Sequence, residues 1–228
     1  MIRDGETVMG RKSFQEELAQ LRLQVELMGI KVDQNLERMR TVLEEGSESI
    51  ALLAIESDDD IDAMNVSLTE RCYHLLAREN PVASDLRFVV SVLRILSEFE
   101  RIGDLALRVV KLNPHRALWA ANDSTYDLLV SMAETAVDAF RLALRAWSAQ
   151  DLGLATELAH RVHTMDAHYE RLTAELLRLT GDDAVRIATD TLIGGRSLER
   201  IADHAAIVGT RLRYLLTGDP NHLSAEVR

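Results

Sequence analysis

The sequence predicts an all-α protein made of two pseudo-symmetric three-helix bundles, with six long antiparallel helices in total. Apolar residues recur at steps of three and four over long segments, which is the spacing of a single helical face. Aromatic residues are only 4% of a chain that is 47% hydrophobic, and this balance favours helices over sheets. The prolines Pro81, Pro114 and Pro220 fall between the periodic segments, where a residue that cannot continue a helix is expected.

The first half of the chain contains three periodic segments. A second helix is predicted over about residues 47–76, followed by the breaker sequence NPVAS, in which Ser84 is expected to cap the third helix. The apolar face of the first helix is formed by Leu18, Leu21, Val25, Met28, Val32, Leu36, Met39 and Val42. That of the third helix is formed by Leu86, Val89, Val90, Leu93, Leu96, Ile102, Leu105 and Val109.

The second half repeats this scheme after a connector, NPHRALWAAND, in which Trp119 is expected to serve packing. Apolar positions predict a fourth helix over 128–147 and a fifth over 152–179. The sequence TGDD combines a glycine typical of a helix C-terminus, Gly181, with an aspartate typical of a helix N-terminus. A sixth helix is therefore predicted from about Asp183 to 217–218.

Two stretches about a hundred residues apart share a motif. SEFERIGDLA occupies residues 97–106 and GRSLERIADHA occupies residues 195–205, and both contain Glu-Arg-Ile-small-Asp. The shift of 99 residues that relates Glu100 to Glu199 also relates other positions of the third and sixth helices. We therefore predict two three-helix units, residues 12–112 and 123–217, joined by a connector at 113–122.

The repeated motif places two carboxylates on one helix face, because residues four apart lie one above the other. Glu100 and Asp104 form one such pair, Glu199 and Asp203 form another, and the second helix adds a third. If the second and third helices are antiparallel neighbours, this third pair, which begins at Asp58, can face the acidic pair of the third helix. Carboxylates that converge without nitrogen or sulfur suit a hard cation such as Mg, Mn, Ca or oxidised iron. The alternative is a solvated acidic face that arginines of neighbouring helices neutralise.

Composition excludes several function classes. The formal net charge of −11 argues against a nucleic-acid partner, which needs a basic surface. The sequence contains no run of about 18 apolar residues that could span a membrane, and its charged first residues do not resemble a secretion signal. We therefore expect a cytoplasmic protein. The single cysteine, Cys72, is expected to be a small core residue.

The ordered motifs FERIGDLA and LERIADHA, together with NPVASDLR before the third helix, resemble those of the PhoU family, the phosphate-signalling regulators of bacteria. The resemblance extends from about Phe14 to Leu216. It implies a regulator rather than an enzyme, which restrains the phosphate-specific ABC transporter and the sensor histidine kinase through their cytoplasmic parts. It also implies a homodimer, and a hard metal ion (Fe, Mn or Mg) on the acidic motifs.

Carried over by position, the resemblance implies two metal patches. In the second unit an acid of the family pattern falls on Val162, which cannot coordinate a metal. The second patch is therefore expected to bind metal more weakly than the first. The first patch consists of Asp58, Asp62, Glu100 and Asp104, and the second of Asp166, Glu199, Asp203 and, one turn beyond Asp166, Glu170.

A second class of function stays open, that of a metal-dependent or metal-storage helical bundle unrelated to phosphate signalling. Glu157 and His160 have the Glu-x-x-His spacing of ferritin-like di-iron proteins, but those sites need the motif on two helices and it occurs here once. His204 is displaced by about 100° around the helix from Asp203, so we expect it to support the ligands or to lie at an interface rather than to be a ligand itself. No catalytic residue is assigned.

Overall fold

The computed structural model describes residues 3–79 and 81–226, and all its regular elements in these ranges are helical. The predicted all-α class is thus confirmed, because segments with a 3.6-residue apolar period can bury their apolar face only as helices. Two short helical turns, Asn113–His115 and Arg116–Trp119, join the two halves, and the turn Pro220–Glu226 follows the last long helix. The long helices are α1 (Arg3–Glu45), α2 (Glu48–Glu79), α3 (Ala83–Val110), α4 (Asp123–Ala149), α5 (Leu152–Leu176) and α6 (Ala184–Thr217).

Local signals explain where several helices begin and end. The side chain of Asn122 accepts a hydrogen bond from the backbone of Thr125 at the start of α4. Asp151 does the same for Leu154 at the start of α5. Gly218 ends α6 in the left-handed conformation, with φ of +73°, which costs a residue without Cβ little. The short turns between these helices make consecutive helices antiparallel neighbours.

Two details of the predicted boundaries are wrong. Ser84 does not cap α3, because the extended residue before the helix is Val82 and Ser84 already lies inside the first turn. The fifth helix ends at Leu176, since the chain then leaves the helix through a turn rather than at Gly181, which has a φ of +105° in the loop beyond. The segment predicted as a connector contains the two short helical turns.

Each half of the molecule is a bundle of three mutually packed helices, and the halves share one apolar core. Helices α1, α2 and α3 pack on one another, as do α4, α5 and α6. The α3–α6 pairing is extensive and joins the halves, and α1 also packs on α4. At this junction Phe99 meets Phe140 edge to face with ring centroids 5.4 Å apart, and Trp147 stacks on Phe88.

The connector is fixed to the end of α1 by one arginine. Arg116 donates hydrogen bonds to the carbonyl oxygen of Leu43 over 2.9 Å and to the hydroxyl of Tyr126 over 2.9 Å. Trp119 is 3% exposed and lies beside Tyr126, so the expectation that this tryptophan serves packing is confirmed. The two halves are therefore joined by a packed segment.

Cys72 is fully buried, and burial raises the pKa of its thiol to about 12. It is an inert core residue, as expected. Among the described residues no helix combines the length and the apolar character that crossing a membrane requires.

Candidate functional site

The first acidic patch, defined as Asp58, Asp62, Glu100 and Asp104, lies where α2 crosses α3. Asp58 is buried, although it is a carboxylate on an otherwise apolar helix face. A Cβ on Gly103 of α3 would stand 3.2 Å from Oδ1 of Asp58, so the glycine allows this carboxylate to lie against the backbone of α3. The repeat motif therefore supplies both the acids of α3 and the space for an acid from α2.

Burial and neighbouring charges raise the pKa of three carboxylates of the first acidic patch. Desolvation, then the charges of Asp62 and Asp104, raise the pKa of Asp58 to about 6, and Lys111 opposes this shift. Desolvation and Asp104 raise the pKa of Asp62. Desolvation, Asp104 and Asp62 raise the pKa of Glu100, with a smaller opposing effect of Arg101. The four groups thus converge closely enough to repel one another in a partly dry groove.

The second acidic patch, defined as Asp166, Glu199 and Asp203, lies where α5 faces α6. Desolvation is the largest cause of the raised pKa of Glu199, and Asp203 and Asp166 add to it. The pKa of Asp203 is raised by desolvation and then by Asp166. Glu170, the fourth residue predicted here, is exposed one turn further along α5.

Arginines compensate the second acidic patch more strongly than the first. Arg196 forms an ion pair with Glu199 one turn earlier on α6, and it lowers the pKa of both Glu199 and Asp203. Arg200 also lowers the pKa of Asp203. The second patch thus matches the alternative of an arginine-neutralised acidic face, whereas the first keeps most of its repulsion.

The donors of the first acidic patch fit a hard cation in chemistry but not in present side-chain geometry. All four groups offer carboxylate oxygens, the ligands that Mg, Mn and Fe(III) accept. Within residues 3–79 and 81–226, however, no three His, Cys, Asp or Glu side chains stand close enough to hold one ion. A cation bound here would therefore have to draw the carboxylates together.

Sequence reasoning missed one cluster, in which Glu98 joins α3 to α6. Glu98 is fully buried, and its carboxylate accepts a hydrogen bond from Nδ1 of His204, 2.5 Å away. Arg94 and Arg101, one turn before and after Glu98, reach the same carboxylate at 3.1 and 2.9 Å. His204 thus lies at the contact between α3 and α6. An acid on a buried helix face, with arginines at i−4 and i+3, was the available signal.

Comparison with known proteins identifies this arrangement. The family model described as "PhoU domain" matches the chain twice, at residues 25–112 and 129–212. The chain belongs to the PhoU family. The first match contains the acidic motif of α3 together with the α2–α3 contact. The second contains the acidic motif of α6 together with the α5–α6 contact.

Relatives from several bacteria align with this chain along most of their length. The chain is 28% identical over 217 residues to the phosphate-specific transport system accessory protein PhoU homolog 1 of Thermotoga maritima, covering 90% of this chain and 89% of that protein. It is 29% identical over 222 residues to PhoU of Serratia marcescens, covering 93% and 88%. The crystal structure of PhoU from Pseudomonas aeruginosa superimposes with a TM-score of 0.83 at 30% identity, covering 90% of this chain and all of the other.

Proposed function

We propose that this chain is a non-catalytic regulator of phosphate homeostasis, which restrains a phosphate ABC transporter and a phosphate-sensing two-component kinase. The observation that carries the proposal is the PhoU domain matched in both halves. Relatives that align along most of their length are phosphate-specific transport system accessory proteins. In this role the protein acts in the cytoplasm as a homodimer, on the cytoplasmic parts of its membrane partners.

An adaptor needs exposed faces that a partner helix can cover, and α1 offers one. Leu23, Leu27 and Ile30 are 59%, 56% and 46% exposed and succeed one another at steps of four and three. They therefore form one apolar stripe on the outer side of α1. We assign partner binding to this stripe, because large apolar side chains on one solvent-facing surface are typical of helix-mediated recognition.

A deletion strain tests the proposed function. Removing the gene from its own organism is expected to leave phosphate-starvation genes active in phosphate-rich medium, because the restraint on the kinase is lost. The measurement is a starvation-promoter reporter at high and low phosphate, with the wild-type gene returned as control. Unchanged reporter output, in a strain without a second copy of the gene, contradicts the proposal. Altered cellular metal content with an unchanged reporter would favour the metal-storage alternative.

Affinity capture then tests the partner surface. The tagged protein, incubated with detergent-solubilised membranes from cells grown at high phosphate, is expected to retain the transporter and the kinase. Leu23→Glu/Leu27→Glu should abolish this capture without unfolding the protein, because both side chains face solvent. The matched control is Leu177→Glu, at an 84% exposed leucine beyond the end of α5. Equal capture by all three proteins would exclude the α1 stripe.

We further propose that a hard cation binds at the first acidic patch. Desolvation, and then repulsion between neighbouring carboxylates, raise the pKa of Asp58, Asp62 and Glu100. A cation would turn this repulsion into attraction and would hold α2 and α3 together at their crossing. Asp58 offers a carboxylate that Gly103 lets approach α3, and Asp104 adds a second acid from the same turn.

A further inference from the structure

A small hollow lies between α3 and α6, at the junction of the two halves. Its volume is about 230 Å³, enough for a tetrahedral oxyanion and a few waters. Three of its lining residues are arginines, and no lining residue is acidic. The lining residues are Leu105 and Arg108 of α3 and Ile193, Arg196, Ser197 and Arg200 of α6.

Two of these arginines have no carboxylate in direct contact among the described residues. Arg196 is paired with Glu199. Arg108 and Arg200 form no hydrogen bond or ion pair with the residues the structure describes, although Arg200 acts on Asp203 through space. This is notable in a chain with 37 acidic and 26 basic residues, where acids for pairing are abundant.

The internal repeat identifies what is missing from the hollow. The shift of 99 residues relates Ser197 to Glu98, and Arg200 to Arg101. In the first half Glu98 is buried and accepts a hydrogen bond from Arg101 over 2.9 Å. In the second half a serine replaces the acid, and the hydroxyl of Ser197 donates to the carbonyl oxygen of Ile193 over 2.8 Å. Arg200 is therefore left without the carboxylate that its counterpart has.

The same shift of 99 residues also relates the residues that lie near these two positions on the facing helix. His204, which contacts Glu98, corresponds to Leu105, which lines the hollow beside Ser197. The two sides of the α3–α6 pairing are thus counterparts, one filled by an internal anion and the other lined by cations. Arg108 has no basic counterpart, because the same shift relates it to Ile207 of α6. The hollow thus has Ser197 where its counterpart has an acid, and it keeps arginines at 108 and 200 although Ile193 replaces Arg94.

We propose that this hollow binds a small tetrahedral oxyanion of the phosphate class, which takes the place of the carboxylate absent at Ser197. The planar guanidinium group offers paired N–H donors that match two oxygens of such an anion. Arg200 and Arg108 supply these donors from α6 and α3, so the bound anion joins the two halves of the molecule. The proposal goes beyond the regulatory function and does not depend on it.

Calorimetric titration of the full chain with inorganic phosphate tests the site, at constant ionic strength set with NaCl. Arg108→Gln and Arg200→Gln are each expected to weaken phosphate binding by about tenfold or more, because each removes charge-assisted hydrogen bonds. Arg178→Gln is the matched control, since this exposed arginine pairs with Glu175 far from the hollow along the sequence. Sulfate is expected to compete with phosphate, because an arginine-lined site does not distinguish two dianions. O-phosphoserine serves as a third probe, and tighter binding than that of phosphate would assign the anion to a phosphorylated side chain.

Ser197→Glu provides an independent test, which thermal unfolding with and without phosphate can measure. A glutamate at this position is expected to pair with Arg200 as Glu98 pairs with Arg101, and so to abolish phosphate binding. Phosphate should raise the unfolding temperature of the wild-type protein but not that of the Ser197→Glu variant. Equal phosphate affinity of the wild type, the two hollow variants and Arg178→Gln would overturn the proposal, as would no binding of either phosphate or sulfate to the wild type.

Discussion

Asp58 shows at the scale of one residue how a sequence pattern becomes a functional candidate. It is an acid at a core-facing position of α2, and it is placed against Gly103 of the facing helix. Its pKa of about 6 reports partial desolvation and the nearby charges of Asp62 and Asp104. The protein therefore bears a local cost of keeping this acid ionised at neutral pH, which a bound cation would remove.

The raised pKa of Asp58 predicts how stability changes with pH in metal-free protein. Because the folded-state pKa is raised above its ordinary value of 3.8, the folded state binds protons more tightly, and this group's stability contribution falls as pH rises from about 4 to 6. Asp58→Asn should therefore raise the free energy of unfolding at pH 7.5 by about 1 kcal/mol, allowing for solvent screening. The gain should shrink towards pH 4. Urea unfolding at both pH values measures it, and an equal gain at both contradicts the electrostatic cause.

The two acidic patches are expected to differ in metal affinity. Calorimetric titration of metal-stripped protein with Mn, Fe and Mg should show that Glu100→Gln/Asp104→Asn loses more affinity than Glu199→Gln/Asp203→Asn. The reason is that Arg196 partly compensates the second patch, and that the family resemblance expects an acid where this chain has Val162. Binding should weaken below about pH 6, since ligating carboxylates must be ionised.

Two outcomes of this titration would contradict the asymmetry between the patches. The first is a larger loss in the Glu199→Gln/Asp203→Asn variant than in the Glu100→Gln/Asp104→Asn variant. The second is a wild-type protein that binds none of the three metals, which would leave both patches as solvated acidic faces.

At the scale of elements, glycines set the distance between α5 and α6. A Cβ on Gly209 would overlap Leu158 of α5 and stand 3.0 Å from the carbonyl oxygen of Ala155. A Cβ on Gly195 would likewise overlap Leu172 near the other end of the contact. The two helices pack closely because these positions lack a side chain, and this close packing positions Asp166 opposite Glu199 and Asp203.

Gly209→Ala is therefore expected to destabilise the protein by about 1–3 kcal/mol, because the backbone of α5 must move to admit the methyl group. Gly194→Ala is the matched control on the same helix. Its Cβ would meet Leu112 at 3.4 Å and Leu129 at 3.5 Å, which is ordinary contact, so the better helix propensity of alanine should leave stability unchanged or improved. Urea unfolding measures both variants, and equal effects would show that close packing at Gly209 is not the cause.

At the scale of the whole molecule, the two halves are held together by a core and by one buried ionic cluster. The Phe99–Phe140 contact belongs to the core, and Glu98, held by Arg94, Arg101 and His204, forms the cluster. A buried charge that loses its partner destabilises a fold strongly, whereas replacing a whole pair by suitable groups is much less costly.

This difference gives a prediction for the junction. Glu98→Ser is expected to cost about 3 kcal/mol of stability, because it leaves the arginines and His204 without their acid. Adding His204→Leu reproduces the serine–leucine pair, Ser197 and Leu105, found on the opposite side of the same junction, and should recover part of the loss. A double-mutant cycle in urea measures the coupling between the two positions. Additive effects would show that the contact does not contribute to stability.

The sequence by itself determined the helical class, the placement of the long helices and the repeat of the acidic motifs. Each of these depends on neighbours in the chain: the apolar period of a helix, the breakers at Pro81 and Pro114, and the four-residue spacing of Glu100 and Asp104. Short-range rules of this kind need no knowledge of which helices meet. Capping was less predictable, because Val82 rather than Ser84 precedes α3.

Only the tertiary structure decided which charges share a space. It brought Asp58 against Gly103, and it paired buried Glu98 with His204, which is 106 residues away along the chain. Such pairings depend on the rotation and spacing of whole helices, which small residues such as Gly209 fix by how closely they let backbones approach. The repeat predicts two equivalent motifs. In the folded protein, however, carboxylates repel one another in the first acidic patch, whereas arginines partly compensate the second.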